Sequence, residues 1–219
     1  MESKEIQGNE KRQGNKKKPS KFSRVEKQVI WLLIILVIVV LVSVAAYYLM
    51  KPKPDYFEYG SFKVYKKMLE GTSVDYYYIP FKTADGKLNQ IAIRNDPRTL
   101  GNISFDVSEE LWGGISKMWV SSDPNVSYAP IPAGEIGRFA IAIGLDTSYA
   151  FSKNAGTYYQ MSCDNATSEI RVVDIRVGNE TKVYSEGYCI IIEGKDDVEM
   201  SKAADRLAMT WLERLVLSK

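Results

Sequence analysis

The sequence predicts an α+β protein: a single transmembrane helix, then a domain with a mixed β-sheet, one central helix and a C-terminal amphipathic helix. Three observations predict it. Residues 29–50 form an uncharged, mostly apolar run. Residues 56–93 are dense in aromatic and β-branched side chains punctuated by turn signals. The second half alternates short apolar runs with segments of helical period.

The N-terminal segment, residues 1–28, carries nine basic side chains against four acidic ones and, up to residue 24, almost no apolar ones. Such a segment cannot bury a core, so it is expected to be a disordered basic tail. Residues 29–50 follow as VIWLLIILVIVVLVSVAAYYLM, with no charge. At about 1.5 Å per residue the run reaches roughly 33 Å, enough to cross a hydrocarbon core of about 30 Å. Trp31 and Tyr47-Tyr48 stand near its two ends, as in the aromatic belts of membrane spans. A buried core helix is the alternative, but a helix apolar all round needs more covering layers than the remaining domain supplies. A cleavable signal would use a shorter apolar core. Ser43-Val44-Ala45 offers a cleavage triplet, but the bulky exit Tyr47-Tyr48-Leu49-Met50 favours an uncleaved signal anchor.

Orientation follows from the basic excess on the N-terminal side, because only Lys51 and Lys53 immediately follow the span. The tail is expected in the cytoplasm, touching the lipid bilayer, and the domain at residues 56–219 outside it. Without interleaved aromatics, the basic run gives no ground for nucleic acid as a partner. Lys51-Pro-Lys-Pro54 reads as a stiff linker.

Two further features agree with an outward domain. Both cysteines, Cys163 and Cys189, fall in it, and an even count there fits one disulfide in an oxidising compartment. Two buried free thiols are the alternative. Four Asn, namely Asn102, Asn125, Asn165 and Asn179, stand in Asn-x-Ser/Thr triplets, where chance gives roughly one. They are candidate glycosylation sites, although Asn and Ser also cluster in turns.

Within the domain, strands are expected at Gly60–Tyr65, Val74–Phe81 and Leu88–Ile93, the last two joined through the turn Ala84-Asp85-Gly86-Lys87. Asn95-Asp96-Pro97-Arg98 reads as loop, because Pro97 lacks a donor and disfavours helix before it. Ile115–Val120 is a further strand. Residues 132–143 read as the central helix, with Pro132 in its first turn and Ile136, Phe139, Ala140 and Ile143 at three-to-four spacing. Strands are expected near Thr157–Cys163, Ile170–Val177 and Tyr188–Glu193, the last with an apolar Cys-Ile-Ile-Ile run typical of a strand covered on both faces. Asp196, with Glu199 three residues on, caps a final helix whose apolar stripe is Met200, Ala204, Leu207, Trp211 and Leu215.

Composition excludes several chemistries. The chain has no His, so nucleophiles activated by imidazole and His-ligated zinc are absent. Neither G-x-G nor a Gly-Lys followed by Ser or Thr occurs, so the phosphate-cradling loops are missing. Nothing in the residues calls for a cofactor, a metal or a catalytic set. Acidic side chains that could serve glycoside hydrolysis are Asp96, Asp106, Glu109, Glu110 and Asp123, but nothing in the spacing pairs them. Asp96, Asp123 and Asp164-Asn165 could contact calcium, without an EF-hand spacing.

Nine of the 25 aromatics lie between Tyr56 and Phe81. They fill one face of a sheet or present a stacking platform, with Tyr76, Tyr77 and Tyr78 as the possible binding aromatics.

The segments Ser162-Cys163-Asp-Asn165, Gly187-Tyr-Cys189-Ile-Ile-Ile-Glu-Gly194 and Ala203-Ala-Asp205-Arg206-Leu, together with Arg94-Asn-Asp-Pro-Arg98 and the signal anchor, carry a resemblance. The chain resembles an uncharacterised group of small single-pass archaeal cell-surface proteins. That resemblance implies a disulfide and a cell-surface setting, and no activity.

The function expected from the sequence is a membrane-anchored binding or structural domain of the cell envelope, contacting another envelope protein or a surface polymer. An envelope enzyme acting on glycan or peptide through carboxylates, and an accessory subunit of a membrane complex, are the competing classes.

Overall fold

A computed structural model describes residues 24–50, 55–68, 71–83 and 86–217. The basic tail before residue 24, the linker at 51–54 and the turn residues Ala84 and Asp85 lie outside the described residues. Two compact units are present, divided after Pro54.

The first unit contains helix α1, Arg24–Met50, which begins five residues before the uncharged run. Its stretch Lys27–Met50 is long and apolar enough to cross a membrane. Inside it, the Ser43 hydroxyl donates to the Val39 carbonyl at 2.8 Å, so the polar group is satisfied along the helix.

The second unit is α+β with two sheets rather than one. Strands β1 (Tyr56–Tyr59), β2 (Phe62–Met68), β3 (Asp75–Lys82) and β4 (Leu88–Ile93) form an antiparallel meander in sequence order. Reciprocal backbone bonds between Thr83 and Gly86–Lys87 close the β3–β4 hairpin, with Gly86 in the left-handed conformation (φ 81°). Alternation along β2, β3 and β4 sends Phe62, Val64, Tyr77, Ile79, Phe81, Ile91 and Ile93 into the core.

The second sheet has six strands in the order β5 (Ser104–Asp106), β9 (Lys182–Glu186), β10 (Cys189–Gly194), β8 (Ile170–Val177), β6 (Lys117–Ser122) and β7 (Asp146–Phe151). Strands β7, β6, β8 and β10 run parallel; β9 is antiparallel to β10 and parallel to β5. Helix α2 (Pro130–Ala142) makes the β6–β7 crossover, and α3 (Asp197–Leu217) follows β10. Asp196 caps α3 as expected, accepting from the Glu199 N–H at 2.9 Å; Glu199 instead binds Lys202 and Thr181.

One face of the six-stranded sheet, with Met118, Val120, Val173, Ile175, Ile190 and Ile192, joins α2, α3 and the inner face of the meander in a single core. The other face buries Val172, Cys189 and Ile191 under Met161, Cys163 and Ala166. The Ser121 hydroxyl pins this cover by donating to the Met161 carbonyl at 2.6 Å. β10 is therefore apolar on both faces because both are covered.

Five elements differ from expectation. Residues 95–98 run into a 3-10 turn, Pro97–Asn102, capped by Asp96. Thr157–Cys163 is not a strand: it makes one isolated bridge, Phe151 to Gln160, and then the 3-10 turn Cys163–Asn165. The short polar strands β5 and β9 and the edge strand β7 carry too little apolar signal to stand out in the sequence.

Candidate functional site

Cys163 and Cys189 lie at disulfide distance, with sulfurs 2.12 Å apart and Cα atoms 5.1 Å apart. The bond ties the cover segment to the start of β10. All four glycosylation candidates are exposed: Asn102 ends a 3-10 turn, Asn125 follows β6, Asn165 sits beside the disulfide and Asn179 lies between β8 and β9. Asn125 and Asn165 also bond locally, to Asp123 and Ser162.

The three consecutive tyrosines do not form one platform. Tyr77 points into the core, while Tyr76 and Tyr78 lie half-buried on the outer face of the meander. There register aligns Tyr56, Tyr65 and Tyr78 across three strands. Cations cover several of these rings: Lys63 stands 5.1 Å over Tyr56, Lys67 5.9 Å over Tyr78 and Arg94 5.7 Å over Tyr76.

The acidic candidates are dispersed. Asp96 pairs with Arg98 at 2.5 Å, which holds its carboxyl below the usual range. Asp106 ends β5, Glu109 pairs with Arg214 and Glu110 accepts from Ser108. Among the described residues no group of three His, Cys, Asp or Glu is placed to hold a metal ion.

Two carboxylates that the sequence reading passed over do meet. Glu135 of α2 and Asp205 of α3 are sealed from solvent, 5% and 1% exposed. Asp205 Oδ2 accepts from the Arg94 N–H at 3.1 Å and from the Asn95 N–H and side-chain amide, both at 2.8 Å. Arg94 Nε faces Glu135 Oε1 at 2.6 Å, off the axis of a hydrogen bond. Ser201 donates to Glu135 Oε2 at 2.8 Å. Burial pushes the Asp205 carboxyl up to about 8 and raises Glu135 as well. The cluster joins the turn after the meander to both helices, and its closed setting makes it a fastening rather than a reaction centre.

A cleft of about 720 Å³ lies between Glu109–Gly113 and the end of α3. Two others, separated by residues 152–162, lie at the C-terminal ends of β6, β7 and β8, where parallel sheets commonly place their ligands. On the helix side is a cleft of about 600 Å³ between β7, the first turns of α2 and Thr157–Tyr159. Tyr149, Tyr158 and Tyr159 rim it, the last two 69% and 78% exposed. Phe151 meets Tyr158 edge-on at 5.5 Å and Trp119 supports Tyr159 at 6.0 Å. Among the described residues no charged side chain lines this cleft. Nor does the helix end attract an anion: Pro130 and Pro132 lack N–H groups, while those of Ile131 and Ala133 donate to Tyr128 and Ala129.

On the other side is a polar cleft of about 410 Å³ that includes Asp123, Lys153, Asp174 and Arg176. Asp174 of β8 is buried, which raises its carboxyl, and it pairs with Arg176 at 2.7 Å. Lys153 holds Asp123 below the usual range. Asp123 is thus the one acidic candidate placed in this cleft. The signals for the missed residues are Asp174 between the apolar Val172-Val173 and Ile175 of β8, and Glu135 and Asp205 at buried positions of the helices.

Compared with known proteins, the chain matches no family model, no curated protein and no solved structure.

Proposed function

We propose that the protein is a membrane-anchored, outward-facing binding domain that holds a surface polymer through the tyrosine-rimmed cleft. The observation that carries this is the cleft's lining: three tyrosines, small apolar groups and hydroxyls, with no charge. Such a surface suits an uncharged ligand whose flat apolar faces alternate with hydroxyls, as sugar rings do. The basic N-terminal tail, the apolar helix, the cysteine pair and the exposed sequons support the outward placement.

A second reading rests on the edge of β7. Phe151 bonds outward, to the Tyr159 carbonyl and the Met161 N–H. By alternation the backbone groups of Thr147 and Tyr149 face the same way, beside the cleft. An extended segment of another envelope protein would add to that edge.

Binding of neutral oligosaccharides to the full chain in lipid nanodiscs tests the proposal. Tyr158→Ala with Tyr159→Ala should weaken it about tenfold or more. Absence of oligosaccharide binding, with capture of an extended peptide that a Thr147→Pro variant abolishes, replaces the first reading by the second. Protease added to intact cells should remove residues 51–219; digestion only after lysis overturns the outward placement.

A further inference from the structure

The polar cleft across residues 152–162 is a built site that the tyrosine cleft does not explain. Its floor is Asp174, whose side chain is 4% exposed. Asp174 Oδ2 accepts from Arg176 Nε at 2.7 Å, while among the described residues no donor reaches Oδ1. A buried carboxyl oxygen without a partner is costly, which marks hydrogen-bonding capacity that the fold itself does not use.

The groups around it are arranged in compensated pairs. Arg176 serves Asp174, stands 3.9 Å from Glu186 of β9, and donates from Nη2 to Cys163 Sγ at 3.2 Å. Asp123, just after β6, is held by Lys153 and by the backbone and side-chain N–H groups of Asn125 at 3.0 and 3.1 Å. Ser152 and Ser162 add hydroxyls. A strongly charged ligand would have to break one of these pairs. A neutral ligand rich in hydroxyls need not, because each hydroxyl both donates and accepts. The volume of about 410 Å³ is in the range of a small-ligand site.

We infer that this cleft is a hydrogen-bonding subsite for a sugar residue, with Asp174 Oδ1 as its central contact and Lys153 and Ser152 at its mouth. This rests on the reading that the ligand is a surface polymer: one ring stacks on the tyrosines and a neighbouring unit reaches around residues 152–162.

The test uses the full chain in nanodiscs and neutral oligosaccharides of two to six units, followed by titration and by saturation-transfer NMR. Asp174→Ala should weaken binding about tenfold or more. Because that substitution also frees Arg176, the paired variant Ser152→Ala with Lys153→Met, at more exposed positions, should weaken it several-fold without changing the melting temperature. The longer oligosaccharides should bind more tightly than the disaccharide only while both clefts are intact. If Tyr158→Ala with Tyr159→Ala weakens binding while the Asp174 and Ser152/Lys153 variants bind as the parent does, the subsite is wrong and the tyrosine reading stands. If no oligosaccharide binds the parent at millimolar concentration, both fail.

Discussion

Asn95, in the turn after the meander, is held by Asp205 of α3 through its backbone N–H and its side-chain amide, each at 2.8 Å. Arg94 adds a third donor to the same oxygen and reaches Glu135 of α2. Three segments distant in sequence are therefore joined through two buried carboxyls. The segments Arg94–Arg98 and Ala203–Leu207, which look unrelated in the sequence, meet here.

The fastening has a pH signature. Burial, with the neighbouring Glu135 charge, pushes Asp205 up to about 8 in the folded protein from its ordinary 3.8, so between those values the folded state holds a proton that the unfolded state has released. Stability should therefore fall as pH rises from about 4 to 8, by at most about 1.4 kcal/mol per unit for one proton. Glu135 and Asp174, also raised, act in the same direction. The lowered carboxyls Asp96, Asp123 and Glu199 act in the opposite sense, losing their contribution as pH falls through their lowered folded values. Chemical denaturation at pH 4.5, 6 and 7.5 should show the decline, and Asp205→Asn should flatten it. An unchanged slope in that variant would assign the proton elsewhere.

Arg171 of β8 is a buried cation whose listeners are all carbonyls. Its guanidinium donates to Leu111, Thr167, Ser168, Glu110 and Gly113 at 2.6–3.4 Å, and the Tyr188 ring lies 5.2 Å away. It thereby holds the turn before β6 against the turn before β8. Arg171→Met keeps much of the volume and leaves those carbonyls without their donor, so it should cost about 3–5 kcal/mol in a urea melt. A loss under 1 kcal/mol would show that water replaces the guanidinium.

Removing the crosslink by Cys163→Ser with Cys189→Ser opens a loop with a sequence separation of 26 residues. The chain-entropy argument gives a loss of about 3 kcal/mol, and the same loss should follow mild reduction of the parent. Agreement of the two measurements separates the crosslink from any effect of the hydroxyls. In the variant, hydrogen exchange should quicken in the cover over the outer face of the sheet, which holds Met161 and Ala166 beside Cys163.

Strong periodic segments were legible: β4, β8, β10 and α3 fall where alternation, apolar runs and the Asp196 cap put them. The even cysteine count fitted the pair that the structure forms, while leaving two buried free thiols open. The split into two sheets was not legible, because nothing local distinguishes strands that pair with β3 from strands that pair with β8. Thr157–Cys163 has the aromatic content of a strand, yet its tyrosines point outward and the segment serves as a cover, so strand propensity misplaced it. The candidate clefts depend on crossover order: Asp123, Lys153 and Asp174 come together only once β6, β7 and β8 lie side by side. Sequence spacing carries no trace of that.

The wall of the tyrosine cleft depends on an absent side chain. A Cβ at Gly137 of α2 would stand 1.7 Å from Tyr149 Oη and 2.5 Å from Cζ, so the phenol lies where any larger residue would project. Gly137→Ala must push Tyr149 outward, with a cost of about 1–3 kcal/mol despite the better helix propensity of alanine. In a Tyr149→Ala background the obstacle is gone, and the same substitution should be neutral or should stabilise by up to about 1 kcal/mol. The sign reversal in a double-mutant cycle isolates the contact from any general effect on α2. Gly137→Ala alone should also weaken oligosaccharide binding at the cleft that Tyr149 lines, whereas Gly101→Ala, where a Cβ meets nothing within 4 Å, should leave binding unchanged. A cycle in which both steps cost the same would mean that the helix, rather than the tyrosine, requires glycine at this position.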